Sequence, residues 1–166
     1  AMILFAGTAY GFSRASRYAR RPKELRQLAA ALATLESEMV FGVTPLPEAL
    51  KRVASACPKP VAFLFTDAGD RMNDYGAERT AGDCWKEAVE KWWPYMSLGE
   101  PEKASLLSLA PTLGATDRED QAKHLRLVIA QLRSEEETAR DEQAKYGKMW
   151  KSLGVLSAAL IVILMY

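Results

Sequence analysis

With 166 residues, 49% of them hydrophobic, the chain is long enough for one domain with a real core, and it is not a disordered polymer. A formal net charge of +1 excludes a generally basic nucleic-acid binder, although charge is strongly patterned along the chain. Cys57 and Cys84 are the only cysteines and form no C-x-x-C pair, which predicts two free buried thiols in a reducing compartment; the single His124 cannot build an imidazole metal cluster.

Ala1 to Phe12 (AMILFAGTAYGF) are apolar and are followed by Arg14, Arg17, Arg20, Arg21, Lys23 and Arg26. A secretory signal carries its charge before the apolar run. Here the order is reversed, so the basic side is expected in the cytosol and the N-terminus across the membrane. Residues 1–13 are short of the roughly twenty that span a bilayer. They read as an N-terminal membrane segment, either short or truncated before Ala1, with a buried core helix as the competing reading. The basic run is matched to anionic lipid headgroups rather than RNA, because it adjoins an apolar anchor.

Pro22 fits the first turn of a new helix or a kink in a continuous one. Leu25, Leu28, Ala29, Leu32, Leu35 and Met39 then recur at helical spacing up to Phe41-Gly42, where glycine can take a left-handed cap. Thr44 is the expected cap of the next helix, with stripe residues Leu46, Leu50 and Val53, and Cys57-Pro58-Lys59-Pro60 breaks it. VAFLF, starting at Val61, is a strand-like run without a partner strand, so the segment to about Tyr75 is assigned to helix. After a loop at Tyr75-Gly76, Trp85, Val89 and Trp92 share one helical face, as core packing rather than a cofactor stack. Glu100-Pro101 opens a helix with Leu106, Leu107 and Leu109, closed by Pro111 and Gly114.

From Thr116, spaced for a capping box with Glu119, one helix is expected to the end of the chain. Leu125, Val128, Ile129 and Leu132 place its first turns on the bundle. Beyond Ser134 the sequence is polar, with Glu136–Arg140 and Asp141–Lys145 at four-residue spacing, which predicts an exposed stalk. Lys145, Lys148 and Lys151 then precede an apolar tail, with Tyr146 and Trp150 where an interfacial aromatic belt would lie. Residues 149–166 read as a C-terminal membrane segment, leaving residues 20–145 as a cytosolic helical bundle and stalk. Arg14, Arg17, Arg20, Arg21, Tyr146, Lys148, Trp150 and Lys151 form the expected membrane interface. The pairs Gly7/Gly11 and Gly154/Ala158 have small-residue spacing compatible with packing of the two end helices in lipid.

No phosphate loop, nucleophile elbow or H-E-x-x-H pair is present. His124 has no evident nucleophile to serve. Glu119-Asp120 and Glu135 to Glu137 diverge around a helix and make poor cation cages. No catalytic residue, metal ligand, cofactor or small-molecule substrate is assigned.

Four stretches carry a family resemblance: RRPKELRQL (Arg20 to Leu28), LESEMVFGVTPLPEAL (Leu35 to Leu50), LGATDREDQAKHL (Leu113 to Leu125) and EEETARDEQAKYGKMWKSLGVLSAALIVIL. In combination they resemble the stage III sporulation protein AB family of endospore-forming bacteria. The apolar segment before Arg14 is shorter than that family would have, and Met72 to Pro94 match no motif of it. The resemblance implies an all-α fold, a bundle of about five to six helices similar to the cytoplasmic domains of F-type platform proteins of type II secretion. It further implies a non-enzymatic membrane platform on the mother-cell side of the forespore envelope. Its expected partners are membrane lipids, the stage III sporulation ATPase (AA) and other channel proteins of the sporulation complex. Candidate partner contacts are the turn at Phe41, Thr44 and Pro45 and the charged face at Asp117, Glu119, Asp120 and Lys123. The alternative is a self-associating membrane-anchored helical scaffold, against which the missing apolar seam between Ser134 and Gln143 argues. An enzyme with a pocket at Asp83, Trp85 and Glu87 ranks last.

Overall fold

Apolar residues at three- and four-residue spacing bury themselves most cheaply by packing helix on helix, and the described residues form six α-helices and a short 3-10 turn. The computed structural model describes residues 2–74, 79–113 and 117–166, with side chains 3–18 left out. The helices are α1 (Met2–Phe41), α2 (Leu46–Ser55), α3 (Val61–Asp74), α4 (Ala81–Trp92), α5 (Glu100–Leu107) and α6 (Arg118–Met165), with the 3-10 turn at Trp93–Tyr95 after α4. The fold is all-α, as the periodicity requires, and VAFLF is helical.

The long helices α1 and α6 form an antiparallel spine. Arg21 meets Glu135 and Glu142, Arg26 meets Glu136, Arg126 meets Glu36, and Arg118 reaches the Gly42 carbonyl. Between them Leu25, Leu28, Leu32 and Leu35 of α1 and Leu125, Val128, Ile129 and Leu132 of α6 are buried. The remaining helices fold back along the spine. Arg52 of α2 pairs with Glu38, Lys51 with Asp70 of α3, and Arg71 of α3 with Glu87 of α4. These pairings give the bundle two poles. The distal pole holds the Phe41 turn and the start of α6. The anchor pole holds the start of α3, the end of α4 and the chain after it, where Ser97 N–H donates to Glu24 of α1 at 2.6 Å.

Local chemistry differs from the sequence reading at several points. Pro22 lies inside a continuous α1, which decides between the two readings offered for it. Gly42 is not left-handed; a Cβ there would lie 2.3 Å from the Glu38 carbonyl oxygen, so close approach requires the glycine. Gly82 meets the Ala110 carbonyl in the same way. Thr44 does not cap α2: its hydroxyl accepts from Arg52 instead, and the N-cap position is Pro45. Thr116, Tyr75, Gly76 and Gly114 lie outside the described residues. The cap of α6 is Asp117, whose carboxylate accepts from Glu119 N–H at 3.0 Å.

The stalk is revised only in part. Glu135, Glu136 and Glu142 meet arginines of α1 and Ala139 is buried, while Glu137, Arg140, Asp141 and Lys145 are exposed as expected. The expected Glu136–Arg140 pair does form, at 2.8 Å, while Glu136 also holds Arg26. Cys84 is buried as expected, but Cys57 is only half-buried; burial pushes both thiols upward in pKa, which keeps them protonated at neutral pH.

Candidate functional site

The distal pole brings together the two stretches proposed from sequence as partner contacts. Phe41 is 86% exposed and Val43 92%, on a turn too short to fold them inward. Pro45 is exposed and Thr44 half-buried. Arg118 donates to the Gly42 carbonyl at 3.1 Å, fixing the first turn of α6 beside this apolar knob. Asp117, Glu119, Asp120 and Lys123 are all exposed on that turn. A shallow cleft of about 380 Å³ lined by Val40, Arg118, Glu119, Ala122 and Arg126 runs between them. Apolar residues ringed by charges of both signs make a protein-contact chemistry, since the apolar centre supplies burial and the charges set register.

At the anchor pole a charged cluster ties three helices together. Glu102 of α5 is fully buried. One of its oxygens takes two N–H groups of Arg21, at 2.5 and 3.2 Å, and the other accepts from Gly99 N–H at 2.8 Å. The same guanidinium reaches Glu142 at 3.3 Å and Glu135 at 3.5 Å. Burial alone would lower the Arg21 pKa, but the Glu102 hydrogen bond and the three carboxylates outweigh it and raise it. Glu24 behaves oppositely. Burial raises its carboxyl above the ordinary value, against the Ser97 N–H and Arg20, which lower it.

The expected membrane-interface residues therefore divide. Arg21 is held within the protein by three carboxylates, while Arg20, Lys148, Trp150 and Lys151 are exposed. The Tyr146 and Trp150 rings lie 6.1 Å apart, in tilted contact. Side chains of Arg14 and Arg17 lie outside the described residues, as do those of the segment holding Gly7 and Gly11. Beyond Trp150, Leu153, Val155, Leu156 and every large apolar side chain to Tyr166 are exposed. Among the described residues, α6 is the one helix long and apolar enough to cross a membrane, with mean hydropathy 1.6 over its most apolar stretch and none of that stretch buried.

The residues weighed as an enzyme pocket have structural occupations. Asp83 shares a capping box with Thr80, whose N–H and hydroxyl hold its carboxyl below the usual pKa. Trp85 is buried and donates to the Leu106 carbonyl at 2.7 Å. Glu87 pairs with Arg71 and Arg79. No group of three or more His, Cys, Asp or Glu fit to hold a metal occurs among the described residues. The Arg21–Glu102 pair has no signature in the sequence, because 81 positions separate its members and nothing in either local pattern marks them.

Comparison with known proteins places this architecture. The model of the family described as stage III sporulation protein AB matches residues 1–166. Stage III sporulation protein AB of Bacillus subtilis (strain 168) is 39% identical over 163 residues, covering 98% of this chain and 94% of that protein. A solved structure of a stage III sporulation protein AB is similar with TM-score 0.71 and 34% identity, over 76% of this chain and 98% of that one.

Proposed function

Because the chain belongs to the stage III sporulation protein AB family, we propose that it is a non-catalytic membrane platform of a secretion-like sporulation complex. It would couple the stage III sporulation ATPase (AA) to membrane components of the channel during endospore formation. The observation that carries this reading is the continuity of α6. One 48-residue helix, about 72 Å long, packs on the bundle at one end and is apolar and unburied at the other. A rigid helix shared by both regions transmits a displacement of the bundle to the membrane without a hinge. Lys145, Lys148 and Lys151 favour a cytosolic bundle, which the family would put on the mother-cell side, and residues 1–13 would add a second anchor beside α6.

In this mechanism the ATPase docks on the distal pole, the end of the bundle farthest from the lipid. Phe41 and Val43 would enter an apolar pocket of the partner while Glu119 and Asp120 meet its basic residues. The test reconstitutes the full chain in vesicles and adds the ATPase. Cosedimentation and altered ATP turnover are expected, and both should be lost in Phe41→Asp. Unchanged turnover and no cosedimentation at high concentration would overturn the coupling, and a stable oligomer formed without the ATPase would favour the self-associating scaffold.

A further inference from the structure

The anchor pole carries a second feature that neither the family match nor the platform reading uses. Phe63, at the start of α3, stacks on Trp92 at 5.1 Å between ring centroids, and Trp92 contacts Tyr95 at 5.5 Å. Lys59 lies 5.1 Å from the centroid of the Phe63 ring, and Lys91 lies 5.4 Å from that of Trp92. Trp92 is half-buried and packs against the core, and the rings beside it are open to solvent. Tyr95 is 70% exposed and Phe63 39%, in contrast to Trp85 at the other end of the same helix, which is fully buried. The Trp92 indole N–H donates to Asp67, and that carboxylate is engaged by Arg71 rather than by either lysine.

Chain topology fixes where this patch stands. Its rings lie at the start of α3 and the end of α4, and Ser97, two residues past Tyr95, is hydrogen-bonded to Glu24 of α1. On α6 the same level is marked by Glu136, the partner of Arg26, and by buried Ala139. From Ala139 to Leu153, where the exposed apolar run begins after Lys151 and Ser152, α6 rises roughly 21 Å. A headgroup layer of roughly 6 Å occupies part of that distance. The tilt of about 20° usual for a membrane helix, taken towards the α3–α4 side, closes more of it.

We propose that this aromatic and lysine patch rests on the anionic headgroups of the membrane that α6 enters. It would be a third contact with the bilayer that sets the tilt of the bundle. The proposal rests on the membrane reading of α6 given above. Two arguments select lipid over a protein occupant. Amphipathic Trp and Tyr rings with lysines are the chemistry of the membrane–water interface, where the rings sit at headgroup level and lysines meet anionic lipid. The patch also shares the pole from which α6 leaves the bundle, whereas the distal apolar knob at Phe41 faces away from it.

The experiment uses the full chain labelled with fluorotryptophan in nanodiscs that carry a nitroxide headgroup lipid, read by fluorine NMR. The tryptophans Trp85, Trp92, Trp93 and Trp150 include internal standards: Trp150 reports on α6 at the membrane, and buried Trp85 on the bundle interior. In discs with about 30% anionic lipid, broadening of Trp92 and Trp150 with Trp85 sharp is expected. Purely zwitterionic discs, or the double variant Lys59→Glu and Lys91→Glu, should restore a sharp Trp92 and leave Trp150 broadened. Trp92 sharp beside a broadened Trp150 in anionic discs overturns the proposal and leaves the anchor intact. A Trp150 that stays sharp overturns the membrane reading itself. Trp92 broadening that survives the charge reversal, or Trp92 shifting only when the ATPase is added, also overturns the proposal, the latter in favour of a protein occupant.

Discussion

The two halves of α6 are one continuous helix with opposite relations to their apolar residues. In the inner half, Leu125, Val128, Ile129 and Leu132 are spaced to one face and buried, while the other faces carry charge. In the outer half, Leu153 to Met165 are apolar on every face and all exposed. A helix in water must hide a stripe, and a helix in lipid has nothing to hide, so the change of pattern within one helix marks a change of solvent. Between the halves lies a third zone, where carboxylates on α6 meet arginines on α1. Polarity there reflects solvation together with pairing between helices at Glu135, Glu136 and Glu142.

Substitutions that act on one half and spare the other sharpen this contrast. Leu132→Ala opens a cavity in the packed half and is expected to cost about 4 kcal/mol of bundle stability. Leu160→Ala, in the exposed half, should change it by less than about 0.5 kcal/mol. Urea unfolding of the detergent-solubilised chain, followed by tryptophan fluorescence, compares them directly. Equal effects would break the division.

Arg21→Ala tests the zone between. It strands buried Glu102 without its cation, for which an expected loss of about 3 kcal/mol follows. Faster amide exchange should appear at α5 and around Glu135, with the outer half of α6 unchanged. Asp117→Ala removes the α6 cap and should cost about 1 kcal/mol, with exchange increased only in the first turn of the helix.

The smallest effect is one of pH. Glu24 has a folded-state pKa above its ordinary value, mainly through burial. The folded state therefore holds that proton more tightly than the unfolded chain. The associated stabilisation is fully present below the unfolded value of about 4.3 and is lost as pH rises through the raised folded value. Glu24→Gln should flatten this part of the stability profile, measured as urea midpoints across the acidic range. A steeper profile in the variant would contradict the sign.

Much of the fold is legible in the sequence because helical periodicity is a local signal. The stripes at Leu25 to Met39 and Leu125 to Leu132 define the spine by spacing alone, and the apolar run after Lys151 declares its solvent by composition. What sequence does not reveal depends on distant partners. Glu136 looks solvated beside Arg140, and only the fold shows that it also meets Arg26. Thr44 has the chemistry of a cap, but the chain presents its hydroxyl to Arg52. The two stretches suggested as partner contacts are remote in sequence, and their adjacency rests on Arg118 reaching Gly42. The aromatic group at Phe63, Trp92 and Tyr95 is hidden for the same reason: helical phase correctly sets Trp92 against the core, and only the fold shows that its ring also stacks on Phe63 of another helix.

The most direct test of one helix in two solvents is thiol accessibility in intact membrane vesicles, on a Cys57→Ser, Cys84→Ala background with single cysteines at Ser108 or Leu160. A water-soluble maleimide is predicted to label Ser108→Cys readily and to leave Leu160→Cys unmodified until detergent is added. Leu160→Cys labelling as fast in sealed vesicles as in detergent would contradict the account.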